Sequence, residues 1–159
     1  MATPNLVDNS LDPSFLTKIV GFYDAIVAKL EFVSPVAFLL LRIWVAWQFY
    51  KSGLTKLPIE NAIFLFENEY TVPLLPPALA AYLATIVELG CSALLMVGLA
   101  GRVSALALFV LNIVALLSYE YATLKDHLPW GLVLLVFVLH GPGKLSIDYL
   151  IGRFVRRPS

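Results

Sequence analysis

One stretch of the chain, residues 36–56, constrains the fold more than any other. It reads VAFLLLRIWVAWQFYKSGLTK, and it is long enough to cross a bilayer, which takes roughly 20 mostly apolar residues at about 1.5 Å rise each. The same stretch carries Arg42, Lys51 and Lys56. A charge inside a spanning helix is costly and marks a site or a partner. We therefore interpret the rest of the chain as the surroundings of this helix and its cations.

The composition places the chain in a membrane. Of its 159 residues, 60% are hydrophobic and 14% are charged, and the mean hydropathy is +0.84. A soluble fold of this length has too much surface facing water to hide so many apolar side chains. The formal net charge is zero, so there is no basic footprint for nucleic acid. The single cysteine, Cys91, allows no internal disulfide. We expect an all-α integral membrane protein.

Glycine and proline divide the apolar sequence into segments of spanning length. Gly53 and Pro58 bound the first, Gly98 and Gly101 the turn after the second, and Gly141 the end of the last. The sequence therefore predicts a four-transmembrane-helix bundle within residues 35–143. Its spans are predicted at about 36–57, 78–99, 103–123 and 128–141. The proline-rich loop between the first two spans is predicted to lie on the outer interface.

Both ends of the chain are predicted to lie outside the spans. Residues 1–13 are read as a polar segment. Residues 14–34 have the two-sided pattern of an interfacial amphipathic helix, and a helix packed on a partner protein requires the same apolar face. The Ser34–Pro35 pair is predicted to break this helix before the first span. Residues 144–159 are read as a basic tail with a C-terminal surface helix.

Orientation follows from the lysines and arginines near the ends of the spans. Lys56 and Lys125 fall on one side. The more basic side holds both termini, which places them in the cytoplasm. Its cations are Lys18, Lys29, Arg102, Lys144, Arg153, Arg156 and Arg157.

Four polar side chains form a candidate interior site: Arg42, Gln48, Glu88 and Asn112. Counting rise along the spans, Glu88 lies roughly 16 Å and Arg42 roughly 9 Å from the cytoplasmic surface. One stripe of the first predicted span carries Arg42, Phe49, Gly53 and Lys56, and Lys51 points away from this stripe. The sequence predicts that Glu88 faces the bundle interior and meets Arg42. Such a pair is either an internal clamp or a site for the polar head of a quinone or lipid, or for a proton relay.

A second candidate site lies at the predicted outer surface, where polar groups border apolar walls. His127 is its possible proton acceptor, and Trp130 is better explained as an interface anchor. The members of this candidate site are Lys56, Glu67, Glu69, Tyr70, Glu120, Tyr121 and His127.

The sequence predicts no tightly bound metal or nucleotide. His127 and His140 stand on one predicted helix, roughly 20 Å apart, and no HExxH or CxxC spacing occurs. The GPGK segment closes a helix, whereas a phosphate loop opens one. The candidate ligand is the quinone or lipid whose polar head the interior pair would bind.

Several segments resemble the DoxX family of small four-helix membrane proteins. They are FYKSGLTKL, LFENEYTVPLLPP, AAYLATIVELGCSALLMVGLAGR, NIVALLSYEY, HLPWG and HGPGKLSID. The resemblance covers about residues 35–150, and the proline loop with GPGKLSID is most similar to the bacterial subgroup found beside biosynthetic systems for modified, metal-binding peptides. It implies a bacterial cytoplasmic membrane protein of a family linked to quinone-coupled oxidation and to redox stress complexes.

Three functions fit these features. The first is a redox accessory that binds a quinone and passes electrons from a partner protein, and its activity requires that partner or a bound flavin, because the sequence shows no redox cofactor of its own. The second is a non-catalytic membrane anchor or assembly partner. The third is a small-solute transporter, which requires a homodimer with Lys51 or Glu88 near its seam.

Overall fold

The computed structural model describes residues 13–72, 75–120 and 122–155, with the backbone alone for residues 13–15. The chain divides into two units, Met1–Ser34 and Pro35–Ser159. Regular secondary structure in the described ranges is helical, and Tyr70 and Tyr119 form an isolated antiparallel bridge. The predicted polar segment 1–13 lies outside these ranges except for its last residue, as do Tyr121, Arg156 and Arg157.

The helices are, in chain order, α1 Pro13–Thr55, α2 Ile59–Asn68, α3 Pro77–Ile86, α4 Ser92–Val97, α5 Gly101–Ser118, α6 Leu124–His140 and α7 Ile147–Val155. Residues Val87–Cys91 form a π turn that joins α3 to α4. The sequence predicts a helix break at Ser34–Pro35, and this is wrong, because helical backbone continues through Pro35. A proline removes one backbone donor, and an apolar helix tolerates that loss where neighbouring groups compensate.

The first unit is helical over its described residues, 13–34. Its large apolar side chains are exposed, among them Phe22 at 71% and Phe32 at 85% of their surface. Polar side chains such as Lys18 and Asp24 are exposed as well. Burial therefore does not separate the two faces of this segment, and the predicted interfacial role of residues 14–34 stays a prediction.

The core of the second unit lies where α1, α4, α5 and α6 meet. It consists of apolar side chains that are at most 6% exposed: Val45, Ala46, Phe49, Leu95, Ala105, Leu108, Leu134 and Phe137. A smaller cluster joins α2 to α3 and is rich in alanine: Ala62, Phe66, Ala80, Ala81 and Ala84. Small side chains let helices approach closely, which is how helices gain contact when no hydrophobic effect drives them together in lipid.

Glycines allow two close approaches. A Cβ on Gly53 would lie 2.8 Å from Leu89 Cδ2 and 3.1 Å from Glu88 Cβ, so the absence of a side chain brings the end of α1 against the π turn. Gly98 ends α4 with φ +73°, a left-handed conformation that glycine adopts without strain. The turn that it starts leads directly into α5.

Large apolar side chains of α3 and α5 are exposed. Ile86, Val103, Val110 and Leu117 expose between 52% and 81% of their surface. Two helical segments in the described part of the chain are long and apolar enough to cross a membrane, namely the 21-residue segment Pro77–Val97 and the 18-residue segment Gly101–Ser118. They correspond to the predicted second and third spans.

Candidate functional site

A buried ion pair joins the end of α1 to the π turn. Lys56 Nζ lies 2.6 Å from Glu88 Oε2, and the two side chains are only 5% and 9% exposed. Ser52 stands one turn before Lys56 on α1. Its hydroxyl accepts a hydrogen bond from Lys56 Nζ at 3.1 Å and donates one to Glu88 Oε1 at 3.2 Å. The three side chains therefore form a closed triangle of charge-assisted contacts, which hold both charges in fixed positions.

The π turn presents Glu88. It places one additional residue in a turn of an otherwise regular helix, and such turns are frequent at functional sites. The Ser92 hydroxyl donates to the backbone carbonyls of Glu88 and Leu89. These bonds add a side-chain donor to two backbone carbonyls of the irregular turn. Gly53 faces this turn, so α1 reaches Glu88 at the point where the helix widens.

An apolar cavity of about 470 Å³ borders the ion pair. This volume is within the range of small-molecule sites. Its walls come from α2, α3, the π turn and α5, and its polar lining residues are Lys56, Tyr70 and Glu88. Several wall residues are also exposed on the outer surface, including Leu83, Val103, Leu106 and Val110. The cavity is thus lined by apolar side chains except where Lys56, Tyr70 and Glu88 border it.

Two rings of a three-ring stack, Phe66 and Tyr70, line the apolar cavity, and the third ring, Tyr119, lines the second cavity. The centroids of Phe66 and Tyr70 lie 4.6 Å apart with an interplanar angle of 9°, and those of Tyr70 and Tyr119 lie 4.6 Å apart at 12°. Burial raises the pKa of Tyr70 to about 12, and the negative charge of Glu88 adds to this rise. The phenol therefore stays protonated at physiological pH and is a hydrogen-bond donor at the edge of the cavity.

The predicted contact between Arg42 and Glu88 is wrong. Arg42 is 1% exposed and donates to the carbonyls of Pro142 at 2.6 Å and Leu145 at 2.9 Å. Glu88 contacts Lys56, which the sequence places at the outer surface and the structure buries. The depth of each residue was predicted from a regular helical rise that starts at Val36. Such a rise does not include the close approach of helices at Gly53, which brings Lys56 to Glu88.

In the structure, the contacts of the four residues of the predicted interior site do not link them to one another. Gln48 donates to the Trp44 carbonyl at 3.4 Å on its own helix. The Asn112 side chain donates to the His127 carbonyl at 3.0 Å, and its Oδ1 lies 2.9 Å from His127 Nδ1. Because an amide oxygen only accepts, Nδ1 carries the proton on this imidazole. Lys51 is exposed, as the sequence predicts.

The residues of the predicted outer site have different surroundings. Lys56 and Tyr70 line the apolar cavity. Glu69 and Glu120 line a second, more polar cavity of about 490 Å³, next to Tyr119. Glu67 is exposed, and His127 contacts Asn112. Among the residues that the structure describes, no group of three His, Cys, Asp or Glu side chains is arranged to hold a metal ion.

The sequence did not single out Ser52 or the π turn. Ser52 is one of several serines in apolar surroundings, and its only signal is the spacing of four residues to Lys56. The π turn is a local irregularity of one residue, which helical periodicity does not reveal.

Comparison with known proteins gives a family match. A family model described as DoxX matches residues 37–120, a range that includes every residue lining the apolar cavity. A protein of Haemophilus influenzae, described as an uncharacterized protein, is 34% identical over 130 residues, which cover 76% of this chain and 86% of that protein. No solved structure matches the chain significantly.

Proposed function

Because the chain belongs to the DoxX family of membrane proteins, we propose that it binds a quinone in the apolar cavity and acts as a redox accessory subunit of a partner protein. The cavity that borders the Lys56–Glu88 pair is the observation that carries this proposal. It combines apolar walls with donors and an acceptor at one place. A lipophilic molecule with a small polar ring requires the same combination.

The proposed topology is a bacterial inner-membrane protein with four spans and both termini in the cytoplasm. The segments 77–97 and 101–118 supply the central two spans. The part of α1 after Pro35 and the 17-residue helix α6 supply the others. The turn at Arg102 then shares the cytoplasmic side with the termini, in agreement with the excess of lysine and arginine on that side.

The polar groups of the cavity match the carbonyls of a quinone. Lys56 and Tyr70 donate hydrogen bonds to the quinone carbonyls, and the Glu88 carboxylate accepts a hydrogen bond from a hydroxyl of the reduced form. The isoprenoid tail lies along the apolar wall formed by Leu83, Val103 and Leu106. These side chains are also exposed on the outer surface, so the ligand enters sideways from the bilayer.

The chemistry requires two electrons and two protons for each quinone reduced to quinol. Lys56 and Glu88 hold and exchange protons, and Tyr70 donates a hydrogen bond to a quinone oxygen. The electrons come from a redox centre of the partner protein, since acid–base side chains do not supply them. The role of this chain is to position the quinone ring and to deliver protons to its oxygens.

Binding of decylubiquinone to the purified full chain tests the proposal. The Ala107→Phe variant places a ring inside the cavity, because Ala107 is a half-buried lining residue. Ala93→Phe is the matched control, since Ala93 is exposed and does not line the cavity. We expect isothermal titration calorimetry in detergent to show binding to the unmodified chain and to Ala93→Phe, and at least about tenfold weaker binding to Ala107→Phe, a difference of about 1.4 kcal/mol.

Two outcomes would contradict the proposal. Equal binding to both variants would place the quinone elsewhere. An absence of binding to the unmodified chain would favour the anchor function. Co-purification from native membranes, with identification of bound quinones and proteins, tests the accessory role, and a partner that carries no redox centre would argue against it.

A further inference from the structure

The C-terminal helix α7, Ile147–Val155, has an apolar face that the protein leaves uncovered. No residue of α7 is buried. At 100° per residue the aliphatic side chains of α7 and Phe154 occupy an arc of about 140°, and the opposite side carries Tyr149, Gly152 and Arg153. The members of the arc are between 38% and 78% exposed: Ile147, Leu150, Ile151, Phe154 and Val155.

Hydrogen bonds hold the start of α7 against the turn between α4 and α5. The Asp148 amide donates to the Gly98 carbonyl at 2.9 Å. Its carboxylate oxygens accept the amides of Ala100 at 2.8 Å and Gly101 at 2.7 Å. The buried Arg42 side chain donates a hydrogen bond to the Leu145 carbonyl, two residues before α7 begins, at 2.9 Å. The position of α7 is therefore tied to this turn.

The same turn defines the depth of α7 in the membrane. It joins the two segments that are long and apolar enough to span, 77–97 and 101–118. A turn between two spans lies at a membrane surface, because the backbone of a turn needs hydrogen-bond partners that lipid chains do not supply. The start of α7 is consequently at the level of the lipid head groups.

The charges around α7 are basic. Lys144 before the helix, Arg102 in the first turn of α5 and Arg153 on α7 are all exposed. The sequence continues after α7 with Arg156 and Arg157. The acidic residue of this helix, Asp148, is occupied by the amides of the turn. Clustered cations beside a membrane attract anionic lipids.

We propose that α7 lies in the head-group layer of one leaflet and binds anionic phospholipid there. The apolar arc enters the boundary between head groups and acyl chains, as in other interfacial amphipathic helices. Lys144, Arg102 and Arg153 contact the lipid phosphates. This lipid site is separate from the apolar cavity, and it does not depend on quinone binding.

Site-directed spin labelling of the full chain in vesicles tests the position of α7. In a Cys91→Ser background, one label replaces Phe154 on the apolar arc and a second replaces Tyr149 on the opposite side. We expect the Phe154 label to be accessible to oxygen and the Tyr149 label to be accessible to a water-soluble nickel chelate. Nickel access to both labels would show a helix in water and would overturn the proposal. A Phe154 label that neither reagent reaches would show protein cover, by a second copy or a partner, with the same consequence.

Retention of phosphatidylglycerol tests the lipid class. The variants Lys144→Gln and Arg153→Gln are compared with Lys125→Gln, a matched loss of an exposed cation at the opposite end of α6 from Gly141. Native mass spectrometry from mixed phosphatidylglycerol and phosphatidylcholine measures the bound lipid. We expect a loss of phosphatidylglycerol affinity of about fivefold for each cation removed near α7, and no loss for Lys125→Gln. Equal retention in the three variants would overturn anionic lipid binding.

Discussion

Helix α1 and the residue that follows it carry two buried cations, Arg42 and Lys56, whose surroundings differ. Arg42 donates to backbone carbonyls near Pro142, in a place that borders neither described cavity. Lys56 contacts a carboxylate and a hydroxyl, and it lines an apolar cavity. Backbone carbonyls are fixed and do not titrate, whereas a carboxylate, an ammonium group and a hydroxyl exchange protons and rearrange their hydrogen bonds.

The difference teaches that burial of a charge is a poor indicator of a site by itself. Arg42 is buried more completely than Lys56, yet its guanidinium connects α1 to the segment before α7 and so has a structural role. Lys56 combines burial with a titratable partner and adjacent space. The second combination is what binding requires, and the following predictions are ordered by the size of the expected effect.

Removing one member of the ion pair is expected to have the largest effect. Lys56→Met leaves the Glu88 carboxylate buried beside Ser52 without its cation, and the loss of an ion-pair partner in a buried site costs about 3–5 kcal/mol. The double variant Lys56→Met/Glu88→Leu removes both charges and should recover most of this loss. Thermal unfolding in detergent measures both, and a double variant as unstable as the single one would contradict this prediction.

The same double variant separates stability from binding. Its cavity keeps the apolar walls and loses two of its three polar groups. We expect it to be folded and to bind decylubiquinone at least about tenfold more weakly than the unmodified chain, which corresponds to about 1.4 kcal/mol. Calorimetric titration at one temperature measures the ratio. Full binding by a folded double variant would mean that the ion pair is a clamp, as Arg42 is.

Arg42→Met is expected to destabilise the protein somewhat less. It leaves the Pro142 and Leu145 carbonyls without their donor. An unpaired carbonyl in a fully buried site costs about 1–3 kcal/mol, and because these two bonds are only partly buried, we expect a loss near the lower end of that range for each. Arg42→Lys retains the charge and serves as the matched control. Because lysine lacks the fork that reaches two carbonyls, an intermediate loss is expected. Thermal unfolding checks the order, and a selective loss of quinone binding without a loss of stability would give Arg42 a functional role.

Ser52→Ala is expected to have a small effect on stability. The variant removes the hydroxyl that contacts both Lys56 and Glu88 but retains the ion pair, so we expect a loss of about 1 kcal/mol. Ser52→Thr retains the hydroxyl and should restore most of it. If Ser52→Ala were as unstable as Lys56→Met, the hydroxyl and not the ion pair would hold the two helices together.

The smallest effect concerns pH. The pKa of Tyr70 is raised to about 12 from an ordinary value of 10.0, so the folded state favours the neutral phenol. The contribution of Tyr70 to stability is therefore complete below about pH 10, and it is lost as pH rises through 12. Ultraviolet titration of phenolate absorbance should show a late step that Tyr70→Phe removes. A Tyr119→Phe variant that removed the same step would assign it to the other ring.

The sequence was sufficient to predict the helical class and two apolar segments of spanning length, and it places Arg42, Glu88 and Asn112 in the interior, where the structure buries them. It places Lys56 at the outer surface, whereas the structure buries this residue. One predicted stripe of α1, namely Arg42, Phe49, Gly53 and Lys56, is buried in the structure. The partners of these residues were not predictable. Which carboxylate meets which cation depends on how closely two helices approach and how each is rotated, and here Gly53 and the π turn determine both.

The extra residue of the π turn divides one span into two phases. A residue corresponds to about 100° of helical rotation. The helical faces before Val87 and after Cys91 are therefore rotated relative to each other by about that angle. Glu88 is thereby presented toward α1, while Leu95 still packs in the core. A relative with one residue fewer at this point would have the same inward-facing positions in both halves only if the gap in an alignment is placed inside residues 87–91. A gap placed anywhere else in the span would pair outward-facing residues with inward-facing ones.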